Sequence, residues 1–515
     1  MTDRRKGSFL IFIDMLNSNI KVKLQELVAL FMTSGANNRS VVLTQISYLL
    51  FLRFISNLNE NIINNVKLPV IGKSNFFKKI QWERFSMQEP EERYELYLSY
   101  ALNYISKSVY YGNIIREFPH EFQHLIKNPN ILADAVRLID ESYKMAEASG
   151  MDKITANGEI YDYLLNECLE SNAFASGKTP RHIANFMCAL TKPSINDRII
   201  DPNSGQGNIL VSAIRHIVKL VAMPTQIIKD EDGMDMVDNI QNVVEKDNYL
   251  RSVIGNSLFG FCNNEQMAFY CAMNMLFHGI YEPNVKRMDA LSEEFDNENK
   301  KGSYTVVFTN PPFGKNNSKD DKGNLSLKYS TNRTEILYLH RTINLLTDGG
   351  RAAIILPEGA LFSSDKASIA ARKRLLKECK IDTIFSLPDG VFRPYSAVKA
   401  SIIVFHKTMN EKEGPVWFYE FKNDGYSQTK NRRKLTENPF PEAIRWFEQK
   451  IKTDNAFSVE IDEILENDCD LSCGRYKDYN EYKEEPEDPI DIISDVLTKE
   501  QELTMALEKL NSMIK

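Results

Sequence analysis

Tyr304-Thr305-Val306-Val307-Phe308-Thr309-Asn310-Pro311-Pro312-Phe313-Gly314 predicts a buried strand that ends in a rigid tip. The apolar run is rich in β-branched and aromatic residues, as buried strands are. Two consecutive prolines then remove two backbone donors, so the sheet cannot continue past Asn310. The tip presents an amide side chain, a proline carbonyl and an aromatic ring from the carboxyl end of a strand, where open α/β sheets bind their ligands. An amide oxygen and a backbone carbonyl can accept both protons of one exocyclic amine, and Phe313 offers a face for a flat ring. A nucleobase flipped out of a duplex makes those demands. A bare Asn-Pro-Pro is more often only a turn; the flanking strand, the aromatic and the elements upstream favour a site.

Composition sets the frame. A chain of 515 residues can hold about three domains. Apolar residues at 43% and charged ones at 26% describe an ordinary globular protein. The apolar run Phe9 to Ile13 is broken by Asp14, too short for a signal-peptide core or a membrane span. Seven cysteines without a compact framework suggest reduced thiols and a cytoplasmic location. Cys469 and Cys473 lack a second Cys/His pair, so no metal site is read there. A net charge of −7 argues against a protein that grips DNA over its whole surface. Phosphate-neutralising charge would have to be local, or come from a partner.

Residues 1–155 read as a helical N-terminal domain: Ile20 to Phe31 and Val41 to Ile55 carry apolar residues at three- and four-residue steps. Residues 156–478 read as an α/β domain, entered through Glu159 to Leu165. Thr179 is placed as an N-cap, with Pro180 at the first helical position and Ile183, Phe186, Met187 and Leu190 on one face. Gly177-Lys178-Thr179 is not a phosphate-binding loop, because the spacing needs a glycine where Asn172 stands.

Next, Asp197-Arg198-Ile199-Ile200-Asp201-Pro202-Asn203-Ser204-Gly205-Gln206-Gly207 gives strand, acidic tip, glycine turn and helix, the opening unit of a nucleotide-type fold. Asp201 can accept hydrogen bonds from a cationic amino group. In this context the unit points to S-adenosylmethionine; the missing third glycine counts against NAD. Leu258 to Cys262 is the second strand, followed by a helix with Met267, Tyr270, Cys271, Asn274 and Met275. Lys315, Lys319, Lys322 and Lys328 follow the Asn-Pro-Pro strand as a solvated loop or one that closes on phosphates. Gly349-Gly350 is read as closing the helix that carries Ile336, Leu339, Ile343 and Leu346. Strands are then expected at Arg351–Pro357, Ile381–Leu387, Ala400–His406 and Trp417–Phe421, with a basic Lys430-Asn431-Arg432-Arg433-Lys434 beyond. Residues 479–515 form an acidic, proline-punctuated linker and a helix whose Leu503, Leu507, Leu510 and Ile514 make a narrow seam for a partner helix.

On its Asn310-Pro311-Pro312-Phe313 and Asp201-to-Gly207 motifs the chain resembles the amino-methyltransferases. More narrowly, it is similar over nearly its whole length to the modification subunits of type I restriction-modification systems, adenine-N6 DNA methyltransferases. The resemblance implies a Rossmann-like S-adenosylmethionine-dependent methyltransferase sheet, mostly parallel and seven-stranded, between a helical N-terminal domain and a C-terminal helical tail. It implies catalytic Asn310, Pro311, Pro312 and Phe313, and a target-base pocket walled by Phe313, Phe392 and Tyr395. It implies cofactor contacts from Thr179, Pro180, Asp201, Asn203, Ser204, Gly205, Gly207, Asp289, Ala290 and Asn310. Where the family carries a carboxylate for the ribose hydroxyls this chain has Cys262, with Glu265 one turn on as a substitute acceptor. The implied partners are DNA, a specificity subunit shared by two modification subunits, and a restriction subunit; no membrane is involved. Two alternatives stay open, a catalytically weak or inactive scaffold of this fold and a protein-glutamine methyltransferase.

Overall fold

Apolar runs bounded by proline and glycine become strands, and the three- and four-residue apolar rhythm becomes the helices that cover them. The computed structural model describes residues 16–36, 38–57, 75–102, 126–169, 178–230, 233–240, 243, 248–314, 324–393, 396–408, 414–429 and 432–477. The chain divides into two units, Met1–Ser472 and Cys473–Lys515. Of the second, the described part is the short helix Cys473–Tyr476 and Lys477; the expected tail helix and the Leu503-to-Ile514 seam lie outside the described residues.

In chain order the strands of the first unit are β1 (Ile199–Asp201), β2 (Ile227–Lys229), β3 (Asp235–Val237), β4 (Leu258–Cys262), β5 (Asn284–Arg287) and β6 (Tyr304–Thr309). They continue with β7 (Leu346–Pro357), β8 (Cys379–Ser386), β9 (Ala400–Lys407), β10 (Val416–Glu420) and β11 (Ala456–Val459). Strands β2 and β3 form a separate hairpin; the other nine form one sheet in the order β11-β10-β8-β9-β7-β6-β1-β4-β5. Seven run parallel, while β9 is antiparallel to both β7 and β8 and β11 is antiparallel to β10. The expected count of seven is therefore too low for this sheet. The reversed β9 matches the mostly parallel expectation, but β11, only four residues long, carries too little pattern to be read as a strand.

A second expectation is corrected at Gly349-Gly350. The preceding helix, Thr334–Leu345, already ends at Leu346, whose extended backbone opens β7. The glycines sit within that strand's first part, and a Cβ on Gly350 would come within 2.9 Å of the Thr347 carbonyl oxygen. They shape a tight entry to the strand, not a helix cap.

The N-terminal helices Ser18–Thr33 and Arg39–Ser56 belong to the same core as the sheet. Helix Glu265–Phe277, behind β4, is buried at every position from Met267 to Phe277, so it cannot face water. Helix Arg39–Ser56 covers it: Thr44 Oγ1 lies 2.9 Å from the Tyr270 hydroxyl, which donates to the Ser40 carbonyl at 2.6 Å, and Tyr48 and Phe54 pack on Phe269 and Phe277. The position expected to divide the two regions, 155/156, falls inside one continuous helix, Lys153–Leu169. That helix supplies Glu159, which accepts two hydrogen bonds of 2.8 Å from Arg181 and one of 2.9 Å from Arg215. Burial alone would raise the Glu159 carboxyl; the two guanidinium groups outweigh it and hold it at about 2. Removing one partner of such a buried group costs about 3–5 kcal/mol. No described helix is long and apolar enough to cross a membrane.

Candidate functional site

Strands β1 and β6 are parallel neighbours, so their carboxyl ends lie side by side. At the end of β1 the chain turns through Gly205 (φ +52°) and Gly207 (φ +84°), left-handed conformations that residues with a Cβ resist, and enters helix Asn208–Val221. Ser204 staples the turn: its hydroxyl donates to the Asp201 carbonyl at 2.7 Å and accepts from Phe261 N at 3.0 Å. Asn274, from the buried helix behind, donates to the Gln206 carbonyl at 2.9 Å.

Asp201 has one oxygen tied down, by the N–H of Asn203 at 3.0 Å, while Oδ2 is buried with no hydrogen-bond partner. Burial drives its carboxyl up to about 7, opposed only by that N–H. A buried acceptor in this state suits a cationic ligand group, which would both satisfy and ionise it. The amide of Gln206 is also buried in the turn without a partner; nothing in the sequence singled it out.

Asn203 bridges the two strand ends, donating its side-chain amide to the Asn310 carbonyl at 2.6 Å. Asn310 in turn donates Nδ2 to Thr179 Oγ1 at 3.1 Å, and Asn208 donates to the Thr179 carbonyl at 2.8 Å. Thr179 is thus not the helix cap that its position suggested. Pro180 takes the cap position in an extended conformation, the helix begins at Arg181, and no side chain caps it. The threonine hydroxyl is committed to Asn310 instead. Thr179, Asp201, Asn203 and Asn310, drawn from three parts of the sequence, form one connected group.

Pro311 is buried, and Pro312 and Phe313 are half-buried. The turn after Phe313 is fixed from the side: Gly314 N–H donates to Glu335 Oε2 at 3.0 Å, and the Gly314 carbonyl accepts from Thr334 N at 2.9 Å. Glu335, almost wholly buried, also accepts from Arg333 Nε at 2.9 Å, and Arg333 reaches Asp365 at 2.9 Å. Neither residue was legible as part of a site, because a lone Arg-x-Glu has no signature. The Phe313 ring meets Phe392 edge to face, centroids 6.3 Å apart at 89°. Tyr395 lies outside the described residues.

On the other flank, Cys262 ends β4 almost fully buried, its thiol 3.6 Å from the Gly205 carbonyl. Glu265 is ion-paired with Arg287. Asp289 follows β5, its Oδ1 accepting from Leu291 N at 2.9 Å, and Ala290 is buried beside it. Burial, then the nearby Asp289 and Asp201 carboxyls, push the Tyr338 phenol well up.

Residues 152–485 match the family model described as N-6 DNA methylase. The type I restriction enzyme EcoEI methylase subunit of Escherichia coli is 26% identical over 374 residues, 70% of this chain and 69% of that protein. The type I restriction enzyme MpnII methylase subunit of Mycoplasma pneumoniae is 24% identical over 346 residues, 63% of this chain but 57% of that protein's length. A chain solved in work on complex assembly and conformational transition of the type I R-M system superimposes with a TM-score of 0.65 at 20% identity. That match covers 96% of this chain and 98% of the other, and it establishes the fold.

Proposed function

The chain belongs to the N-6 DNA methylase family, S-adenosylmethionine-dependent enzymes that methylate adenine in DNA, and from that membership we propose that it is the modification subunit of a type I restriction-modification complex. The observation that carries the assignment of its site is the connected group Thr179–Asn310–Asn203–Asp201 at two adjacent strand ends. The cofactor fits the residues present: Asp201 Oδ2 is a buried acceptor in want of a cation, and the amino group of the methionine moiety is one. Asp201, Asn203, Ser204 and the Gly205–Gly207 turn would hold that end, with Thr179 and Pro180 beside it. Asp289, Ala290 and the β4 end at Cys262 would hold the nucleoside end, where Glu265 is a less direct acceptor because Arg287 engages it. When bound, S-adenosylmethionine supplies an electrophilic methyl group on a sulfonium centre.

The protein's own part is positioning. Thr179 fixes the Asn310 amide, so that Oδ1 and the Pro311 carbonyl accept the two N6 protons of a flipped adenine and its lone pair points toward the cofactor. Pro312 stiffens the tip, and Phe313 stacks on the base with Phe392 edge-on behind it. Base–aromatic stacking contributes about 1–3 kcal/mol, which helps offset the few kcal/mol lost on unstacking.

DNA and other components of a restriction-modification system are the partners. In finer terms, we infer a specificity subunit that reads the site, two modification subunits for each, a restriction subunit in the full complex, and a cytoplasmic location. Residues 1–155 would serve as the helical N-terminal region, 156–478 as the catalytic region and 479–515 as the assembly tail.

Sequencing DNA from cells that carry this chain with its partner subunits tests the reading. N6-methyladenine at one defined sequence, absent when Asn310 is replaced by alanine, is the expected result; unmodified adenine throughout would overturn it. The replacement of the family's carboxylate by Cys262 favours a second reading, a scaffold that no longer binds cofactor. Titration with S-adenosylhomocysteine separates the two.

A further inference from the structure

Residues 424–429 and 432–435 pair with each other beside the Phe392 turn. Leu435 N donates to the Gly425 carbonyl at 2.8 Å, Tyr426 and Lys434 form an antiparallel bridge, and Ser427 N donates to the Arg433 carbonyl at 2.7 Å. Arg433 N returns the contact to Ser427 Oγ at 2.8 Å. The result is a narrow strap. From it Arg432 reaches out, donating one guanidinium nitrogen to the Val391 carbonyl and another to Asp424. Arg393 reaches in the opposite direction, donating to the Gln428 carbonyl at 3.0 Å. The turn Gly390–Arg393 is thus tied to the strap from both sides of Phe392, the residue whose ring meets Phe313.

The strap is anchored on the cofactor side too. Asp424 is fully buried, and its second oxygen lies 2.9 Å from His182 Nε2, on the helix that begins just after Thr179-Pro180. The His182 ring packs on Tyr426 at 4.8 Å and on Phe440 at 5.7 Å. Burial alone would raise the Asp424 carboxyl, but its bonds to His182 and Arg432 more than offset this and hold it below the usual range. A buried carboxylate shared by an imidazole and a guanidinium has little freedom to shift.

We propose that this strap is a positioning device for the target-base pocket: Arg432 and Arg393 clamp the Val391-Phe392 turn so that Phe392 backs the Phe313 ring, with Asp424 and His182 registering it against the cofactor-side helix. The proposal rests on the function proposed above and adds residues that touch neither cofactor nor base. Removing either arginine leaves Asn310, Asp201 and the glycine turn untouched. Base placement should suffer while cofactor binding does not.

The test uses the full-length chain in complex with its specificity partner and two duplexes. One has adenine at the target, and methyl transfer is measured on it; the other has 2-aminopurine there, which lacks the N6 amine and only reports by fluorescence how that base is stacked. Arg432→Gln and Arg393→Gln should each lower kcat by roughly ten- to a hundred-fold and change the fluorescence of the bound duplex. S-adenosylhomocysteine affinity should stay within about two-fold of the parent. If Arg432→Gln does not fold, Arg393→Gln, whose side chain is only half-buried, decides alone. Unchanged kcat and fluorescence in an active complex overturn the strap and spare the function. Parallel loss of cofactor binding and kcat also overturns it, since that marks a general structural role. A parent complex that transfers no methyl group overturns the function and the strap together.

Discussion

Asn310 and Thr179, separated by 131 positions in sequence, are joined by a single hydrogen bond from the asparagine amide to the threonine hydroxyl. The bond decides which way a symmetric-looking amide points, and so where its oxygen lies.

Asn310→Ala should therefore abolish methyl transfer, by about a thousand-fold or more, because the acceptor for the base amine is gone. Cofactor affinity should stay within a few-fold, since the Asn203 contact is to the Asn310 backbone. Thr179→Val should fall between, with kcat down roughly ten-fold, as the amide loses its orienting partner while its oxygen remains. Single-turnover methyl transfer beside calorimetry of S-adenosylhomocysteine measures both. Substantial transfer by the alanine variant would remove Asn310 from the mechanism.

The buried carboxyl of Asp201, at about 7, predicts a pH dependence. Its folded value lies above its unfolded one, so the cofactor-free chain is favoured by this group below about pH 3.8 and loses that stability as pH rises through about 7. Cofactor affinity should run the other way and strengthen as Asp201 ionises. Asp201→Asn should raise the melting temperature of the cofactor-free chain more at pH 8 than at pH 5, and should remove most cofactor binding at either pH. Titrations between about pH 6 and 8 that show a flat affinity would remove Asp201 from the cofactor site.

Cys262→Glu restores a carboxylate at the end of β4. In the free chain that group would be buried without a partner, which lowers stability. With cofactor present, the ribose hydroxyls could satisfy it. Expected together are a lower melting temperature without ligand, a larger ligand-induced rise, and affinity improved by on the order of 1 kcal/mol. A folded variant with unchanged affinity would show that Cys262 serves packing under Gly205 and nothing more.

Glu335→Gln keeps the shape of the side chain but leaves one oxygen where there were two, so it can accept from Gly314 N or from Arg333 Nε but not from both, and the other donor faces an amide NH2. The Asn-Pro-Pro tip should loosen: kcat falls roughly ten-fold, DNA binding and cofactor binding hold, and the melting temperature drops by a few degrees. A loss confined to melting temperature would assign Glu335 to stability alone.

Deleting residues 490–515 should abolish assembly with the specificity subunit and site-specific methylation, while cofactor binding persists. In the sequence, Leu503, Leu507, Leu510 and Ile514 carry the spacing expected of a seam for a facing helix, and the net charge of −7 argues against independent DNA recognition. Co-purification of the truncated chain with that subunit, with normal methylation, would contradict this.

What the sequence disclosed, it disclosed through local chemistry. The β6 strand and its tip were legible because two prolines must end a strand, and the β1 turn because its glycines sit between a strand and a helix. Contacts that cross the chain to a backbone carbonyl left no trace. Arg432 binds the Val391 carbonyl 41 positions away, Arg393 that of Gln428 across 35, and any residue could supply those carbonyls. Thr179 was misplaced as a cap because Ser/Thr before a proline satisfies the capping rule equally well whether its hydroxyl turns toward the helix or away from it. The strand β11 was missed since four residues cannot establish a period.

Helix Glu265–Phe277 has no wet side, and this restricts how the molecule can be altered. A helix with a solvent face tolerates drift on that face; here each substitution between Met267 and Phe277 must be matched in the sheet or in the helix Arg39–Ser56. The catalytic half is accordingly not portable: grafted onto another protein without the N-terminal helices, it would carry a bare aromatic surface. The same helix holds the Gln206 carbonyl through Asn274. A repacking among the N-terminal helices therefore stands one hydrogen bond from the glycine turn.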